Sequence, residues 1–169
     1  MRPRVGVSAC LLGQPVRYDG ASRPHAWIRE VLARHAELRP ICPETEAGLT
    51  VPRPPVQLVR RETGGIMMRG VRDHALDVSA RMRRWMERQQ DRLAGLDALI
   101  VKSRSPSCGL GSTPLYGLDG EMLRDDHDGV FTAWVRMRFP ALPLYDDVLL
   151  EDVHHRQEFL TLLKKYRVE

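Results

Sequence analysis

Residues 98–109 read Ala98-Leu99-Ile100-Val101-Lys102-Ser103-Arg104-Ser105-Pro106-Ser107-Cys108-Gly109. A short, wholly apolar run bounded by turn-forming residues is the pattern of a strand covered on both faces, as in parallel sheets. We read Ala98–Ser103 as that strand and Arg104–Gly109 as the loop that closes it. Upstream lies the clearest helix, from about Asp77 to Ala94. Val78, Met82, Trp85, Met86 and Leu93 fall near helical spacing as core residues, and Gly95 supplies the stop. Further back, Val56–Arg60 and Leu38–Cys42 are candidate strands, separated by an ordered loop over residues 43–55 rich in proline. A helix is expected from about Pro24 to His35 with Ser22 as its cap, and Arg4–Ser8 is a short buried strand ending at Ala9-Cys10. Downstream, Pro114–Leu123 suits a hairpin turning at Asp119-Gly120. Val130–Phe139 suits a helix, Leu142–Tyr145 a last strand and Asp152–Tyr166 a terminal helix. Strands alternating with helices define the fold class: α/β, a three-layer sandwich around a mostly parallel, Rossmann-like sheet. No repeat or linker divides the chain, so residues 1–169 are expected to form a single domain.

Composition narrows the function classes. At 169 residues with 43% apolar content, the chain has the means to bury a substantial core. No apolar stretch approaches the length of about 18 residues that a membrane helix requires. The opening Met1-Arg2-Pro3-Arg4-Val5-Gly6-Val7 has too short an apolar run for a signal peptide. A cytoplasmic location is therefore expected, with thiols kept reduced. The net charge of +4 admits an anionic partner. The positive charge is nearly all arginine, scattered along the chain, the only lysines being Lys102, Lys164 and Lys165. That scatter lacks the clustered basic and aromatic pattern of a nucleic-acid surface, so no DNA partner is expected and an RNA-binding module ranks last.

The three cysteines carry more information. Cys10, Cys42 and Cys108 form no C-x-x-C pair, and an odd count in a reducing compartment argues against disulfides. Cys10 follows the first expected strand, Cys42 closes the second, and Cys108 lies on the loop after the strand at residues 98–103. Right-handed crossovers bring the ends of parallel strands to one edge, where ligands bind in such sheets. Free cysteine often packs as a small hydrophobe. The neighbours here are wrong for a core, since Cys42 precedes Pro43 and Glu44, and Cys108 sits among Ser, Pro and Gly. Three soft thiolates suit either a tetrahedral zinc with one open position or three irons of a four-iron cluster.

Four segments carry a resemblance: Ser8-Ala9-Cys10-Leu11-Leu12-Gly13, Val16-Arg17-Tyr18-Asp19-Gly20, Cys42-Pro43-Glu44, and Lys102 through Gly109. In order and spacing the chain resembles the TudS-type thiouracil desulfidase family in its stand-alone form, over essentially its whole length. The resemblance implies a 4Fe-4S cluster ligated by Cys10, Cys42 and Cys108 with one open iron. It also implies a non-redox conversion of a thiolated pyrimidine (thiouracil, or thiouridine as nucleoside or monophosphate) to the oxo form, with sulfide released. The alternative keeps the three cysteines but makes the chain a zinc-dependent hydrolase.

Converting C=S to C=O requires a water to attack the ring carbon, and a carboxylate beside the metal can take its proton. Glu44 matches the family's acidic position, with Glu46 as its rival on the same loop. Ser103 is the second candidate catalytic residue. Ser8 and Ser105 are candidate substrate contacts by their place next to ligands, although serine in such loops also serves local turn bonding. Arg17, Tyr18 and Asp19 complete the expected substrate-binding set, with the arginine suited to a phosphate. The six histidines are read as structural or surface groups.

Overall fold

The computed structural model describes residues 1–166. Its centre is a four-stranded parallel sheet built from β1 (Arg4–Ser8), β2 (Glu37–Ile41), β5 (Ala98–Val101) and β8 (Leu144–Asp146), in the order β2-β1-β5-β8. All three pairings are parallel. Every residue of β5 is buried, as its apolar run requires. Alternation sends Ala98 and Ile100 to one face and Leu99 and Val101 to the other. On the first face they meet Ile28 of α1 (Ala26–Glu30) together with Phe159 and Leu163 of α6 (Val153–Lys164). On the second they meet Trp85 and Met86 of α3 (Ser79–Glu87), Leu93 of α4 (Gln90–Ala94), and Phe131 and Val135 of α5 (Val130–Arg138). This is the expected three-layer arrangement.

Val56–Arg60 is a strand, β3, but it belongs to a second sheet together with β4 (Ile66–Gly70), β6 (Thr113–Tyr116) and β7 (Met122–His127), in the order β4-β3-β6-β7. The strand β4 is not among those expected from the sequence. It forms a hairpin with β3 around Gly64, whose φ of 91° needs glycine. The second sheet packs through Leu58, Met68 and Leu115 onto Val78 and Met82, so α3 serves both sheets. The hairpin expected at Asp119-Gly120 is present between β6 and β7. Residues 43–55 hold a single helical turn, α2 (Pro43–Glu46), before the loop proper.

Two helices are shorter than their patterns suggest. The segment 24–35 becomes α1 followed by a 3₁₀ turn at Leu32–Arg34, with His25 rather than Ser22 at its start. The His25 amide donates to the Leu11 carbonyl at 2.9 Å, which keeps the preceding residues out of the helix. The segment 77–94 is interrupted between α3 and α4, where the Trp85 carbonyl accepts from both Arg88 N–H (3.1 Å) and the Gln89 side chain (3.2 Å). Those bonds close α3 one turn early.

Candidate active site

The strand order places the site. The crossover from β1 to β2 runs through α1 on one face, whereas that from β5 to β8 runs through α5 on the other. Between the adjacent strands β1 and β5 the connections thus diverge, opening a crevice at the carboxyl edge of the sheet. Ser8 at the end of β1 accepts the Lys102 N–H at 2.9 Å and ties the two strand ends together there. Cys10 lies on a 3₁₀ turn after β1, Cys42 immediately follows β2, and Cys108 lies on the loop after β5. All three border one cavity of about 400 Å³, within the usual range of small-molecule sites. None is in a disulfide; Cys10 and Cys108 are buried and Cys42 is half-buried.

The Cys108 loop is fixed by its own polar groups. Ser105 Oγ accepts from Cys108 N–H at 3.1 Å and from Ser107 N–H at 3.3 Å, and the Ser105 carbonyl accepts from Gly109 N–H and the Thr113 hydroxyl. The start of α5 then straps the loop down. Val130 N–H donates to the Pro106 carbonyl, Phe131 N–H to that of Ser107, and Thr132 Oγ1 to that of Cys108 at 2.7 Å. Gly129 is in direct backbone contact with this loop, since a Cβ there would collide with the Ser107 carbonyl carbon and the Cys108 nitrogen.

Glu44 stands opposite. Its Oε1 accepts from Arg53 Nε at 3.1 Å and its Oε2 from Ser107 Oγ at 2.7 Å, so a largely buried carboxylate is held at both oxygens. Because the Ser107 proton goes to Glu44, the 3.1 Å contact between Ser105 Oγ and Ser107 Oγ is donated by Ser105. Glu46 points elsewhere, pairing with Arg92 at 3.0 Å outside the cavity lining. Of the two carboxylates, only Glu44 faces the cavity.

The remaining expected residues divide. Ser103 and Ser8 are buried and line the cavity, and half-buried Ser105 and Arg17 and exposed Tyr18 line it too. The hydroxyl of Ser105 is committed to protein partners. Ser8 accepts from Lys102, and its hydroxyl is the group that most opposes the effect of burial on the Cys108 thiol. Asp19 is not among the lining residues. Its Oδ1 caps a turn by accepting Ala21 N–H at 3.0 Å, which is the ordinary turn role of an Asp-Gly pair. Two residues escaped sequence reading. Arg53 sits in a proline-rich loop without periodicity, and Asp147, one residue past β8, contacts Lys102 at 3.0 Å and Ser103 N–H at 2.7 Å. The only sequence signal for Asp147 was its place at the end of a parallel strand.

The electrostatics are cationic. Among the described residues, Arg17, Arg23, Arg53, Lys102 and Arg104 line the cavity against the single carboxylate of Glu44. Arg17 Nε is buried without a hydrogen-bond partner among the described residues, with Asp19 Oδ1 at 3.7 Å. Burial pushes the Cys10 thiol up to about 11, against the opposing pull of Lys102 and Arg17. Burial also pushes Cys108 up to about 12, against the hydrogen bond from Ser8. Without a metal these thiols stay protonated at neutral pH, and a soft metal would displace the protons. Among the described residues no group of three His, Cys, Asp or Glu converges closely enough to hold one metal ion. A tetrahedral zinc with thiolates at about 2.3 Å would bring their sulfurs to roughly 3.8 Å of one another. A cluster that takes one thiolate on each of three irons asks for a wider triangle. By its chemistry the donor set, three soft thiolates with no histidine in the cavity lining, fits the irons of such a cluster.

Fold and site together define an α/β protein with a three-cysteine, cation-rich pocket at the switch point of a parallel sheet. The chain belongs to the 2-thiouracil desulfurase family, whose model matches residues 5–147. It is similar to the solved structure of a [4Fe-4S]-dependent thiouracil desulfidase, TudS, at 29% identity and a TM-score of 0.69, over 94% of this chain and 99% of that one. No curated protein gave a significant match.

Proposed function

We propose that this chain, acting as one domain over residues 1–169, is a desulfidase. It converts a thiolated pyrimidine and water to the oxo-pyrimidine and hydrogen sulfide, using a [4Fe-4S] cluster held by Cys10, Cys42 and Cys108. The observation that carries the reading is convergence: three free cysteines, a clamped carboxylate and a buried serine share one cavity at the sheet edge. When bound, the cluster supplies a Lewis-acidic iron with an open position for the thiocarbonyl sulfur, with no net electron transfer.

The chain's own residues do the rest. Glu44 takes a proton from the attacking water, and Arg53 and Ser107 aim its carboxylate. Ser103 hydrogen-bonds the ring. Ser8 and Ser105 act one step removed, the first toward the Cys108 sulfur and the second on its amide. Arg17 and Tyr18 receive the outer part of the substrate, and the weakly held Arg17, whose Nε lies 3.7 Å from Asp19 without a hydrogen bond among the described residues, together with the arginine excess favours an anionic form such as a monophosphate. Free thiols in such a site suit a reducing compartment, which favours the cytoplasm. No helix of the described residues is long and apolar enough to cross a membrane.

The test is product formation by anaerobically reconstituted protein given 2-thiouracil, 4-thiouracil, 4-thiouridine and its 5′-monophosphate. Uracil or uridine products and sulfide in equal amounts support the reading. Sulfide without the oxo product, or a requirement for an added reductant, contradicts it.

A further inference from the structure

Lys102 and Asp147 enclose Ser103. Lys102 Nζ donates to Ser103 Oγ at 2.9 Å and to the Ser103 carbonyl at 3.2 Å. The same ammonium lies 3.0 Å from Asp147 Oδ2, while Asp147 Oδ1 accepts the Ser103 N–H at 2.7 Å. Parallel pairing of β5 with β8 sets Val101 against Asp146, which brings the next residue of each strand together at the edge. The cluster of groups is well shielded, with Lys102 and Asp147 side chains each 17% exposed and Ser103 5% exposed.

This geometry decides which way the serine works. An ammonium can only donate, so one lone pair of Ser103 Oγ is filled and the hydroxyl proton points away from Lys102. Its single proton can turn to Asp147, with which the side chain also interacts, or to whatever occupies the cavity; Asp147 already accepts at both oxygens, Oδ1 from Ser103 N–H and Oδ2 from the ammonium, so the acceptor left unfilled is in the cavity. Burial alone would raise the Asp147 carboxyl, yet Ser103 N–H and Lys102 outweigh it and hold it below the usual range. Asp147 stays a carboxylate, and with both oxygens engaged and away from the cavity lining it is poorly placed to take a proton from water there. It is absent from the cavity lining, so its direct contacts toward the substrate run through its two partners.

We propose that Asp147 and Lys102 are positioning residues that fix the Ser103 hydroxyl as a hydrogen-bond donor to the thiopyrimidine. The inference rests on the proposed desulfidase reading of Ser103 and adds the two residues and the direction of the bond.

The test is a double-mutant cycle on reconstituted protein with 2-thiouracil, comparing Ser103→Ala, Asp147→Asn and the pair. Asparagine keeps the size and can still accept Ser103 N–H, but it loses the charge that holds Lys102. Asp147→Asn is expected to lower kcat roughly 10- to 100-fold with KM changed less than about threefold. Iron and sulfide per chain and the visible absorption of the cluster should match those of the unsubstituted protein. The pair should be no slower than Ser103→Ala alone, within about threefold, because the aspartate acts through the serine. Multiplicative losses in the pair overturn the inference, as does a rise in KM with kcat unchanged. A silent Ser103→Ala is a different result, which removes the catalytic reading of Ser103 and the inference with it. Should Asp147→Asn lose its iron, the Lys102→Met cycle against Ser103→Ala reads the same coupling: a pair no slower than Ser103→Ala supports the inference, and multiplicative losses overturn it.

Discussion

Two loops border the cavity and are built in opposite ways. The loop after β5, residues 102–109, is buried at Ser103 and from Ser107 to Gly109 and densely hydrogen-bonded, with α5 strapping it from behind. The loop at residues 16–20 lies at the mouth, with Tyr18 42% exposed and the Arg17–Asp19 pair stretched to 3.7 Å. A ligand or reacting group must be held within a fraction of an ångström, whereas a mouth that admits substrate must yield. The first loop reads as machinery and the second as reception, and substitutions should separate them.

The largest effect belongs to the wall facing the rigid loop. Glu44→Gln keeps the bonds to Arg53 or Ser107 in part but cannot take a proton, and kcat is expected to fall by roughly 10²- to 10⁴-fold with iron content unchanged. Retained turnover would move the proton acceptor elsewhere. Gly129→Ala probes the strap itself. Its Cβ would press on backbone atoms of Ser107 and Cys108, and the expected cost is about 1–3 kcal/mol in thermal or denaturant unfolding, with reduced iron incorporation. A variant as stable and as iron-rich as the unsubstituted protein would show that the loop is not held as tightly as its contacts imply.

At the mouth the effects shrink. Arg17→Ala is expected to raise KM for an anionic substrate several-fold with kcat nearly unchanged, and Asp19→Ala to alter neither beyond about twofold. Steady-state kinetics on the thiouridine monophosphate decides both, and a large loss of kcat in either variant would erase the distinction between the loops. Smallest of all is the acid response of Asp147. A carboxylate held low in the folded state stabilises it above the unfolded value of about 3.9, and that stabilisation drains away as pH falls through the folded value. Melting curves of Asp147→Asn should therefore fall less steeply than those of the unsubstituted protein below about pH 4.

The rigid loop was also the legible one. Its apolar strand and polar closure announce themselves in consecutive residues, and parallel topology alone was enough to bring Cys10, Cys42 and Cys108 to a common edge. Arg53 and Asp147 were not legible, because each meets its partner through a turn or a strand pairing that no local pattern encodes. The same reason hid β4 and the second sheet, whose pairing depends on the Gly64 turn and on α3 being shared. Ser105 shows the reverse limit: its place beside Cys108 suggested substrate, whereas its hydroxyl is taken up by the loop.

Iron and acid-labile sulfide per chain report whether the three cysteines hold a cluster. Protein purified without oxygen should carry about four of each, and the triple variant Cys10→Ser, Cys42→Ser, Cys108→Ser should carry neither. Zinc in their place, or no metal after anaerobic reconstitution, would contradict the account.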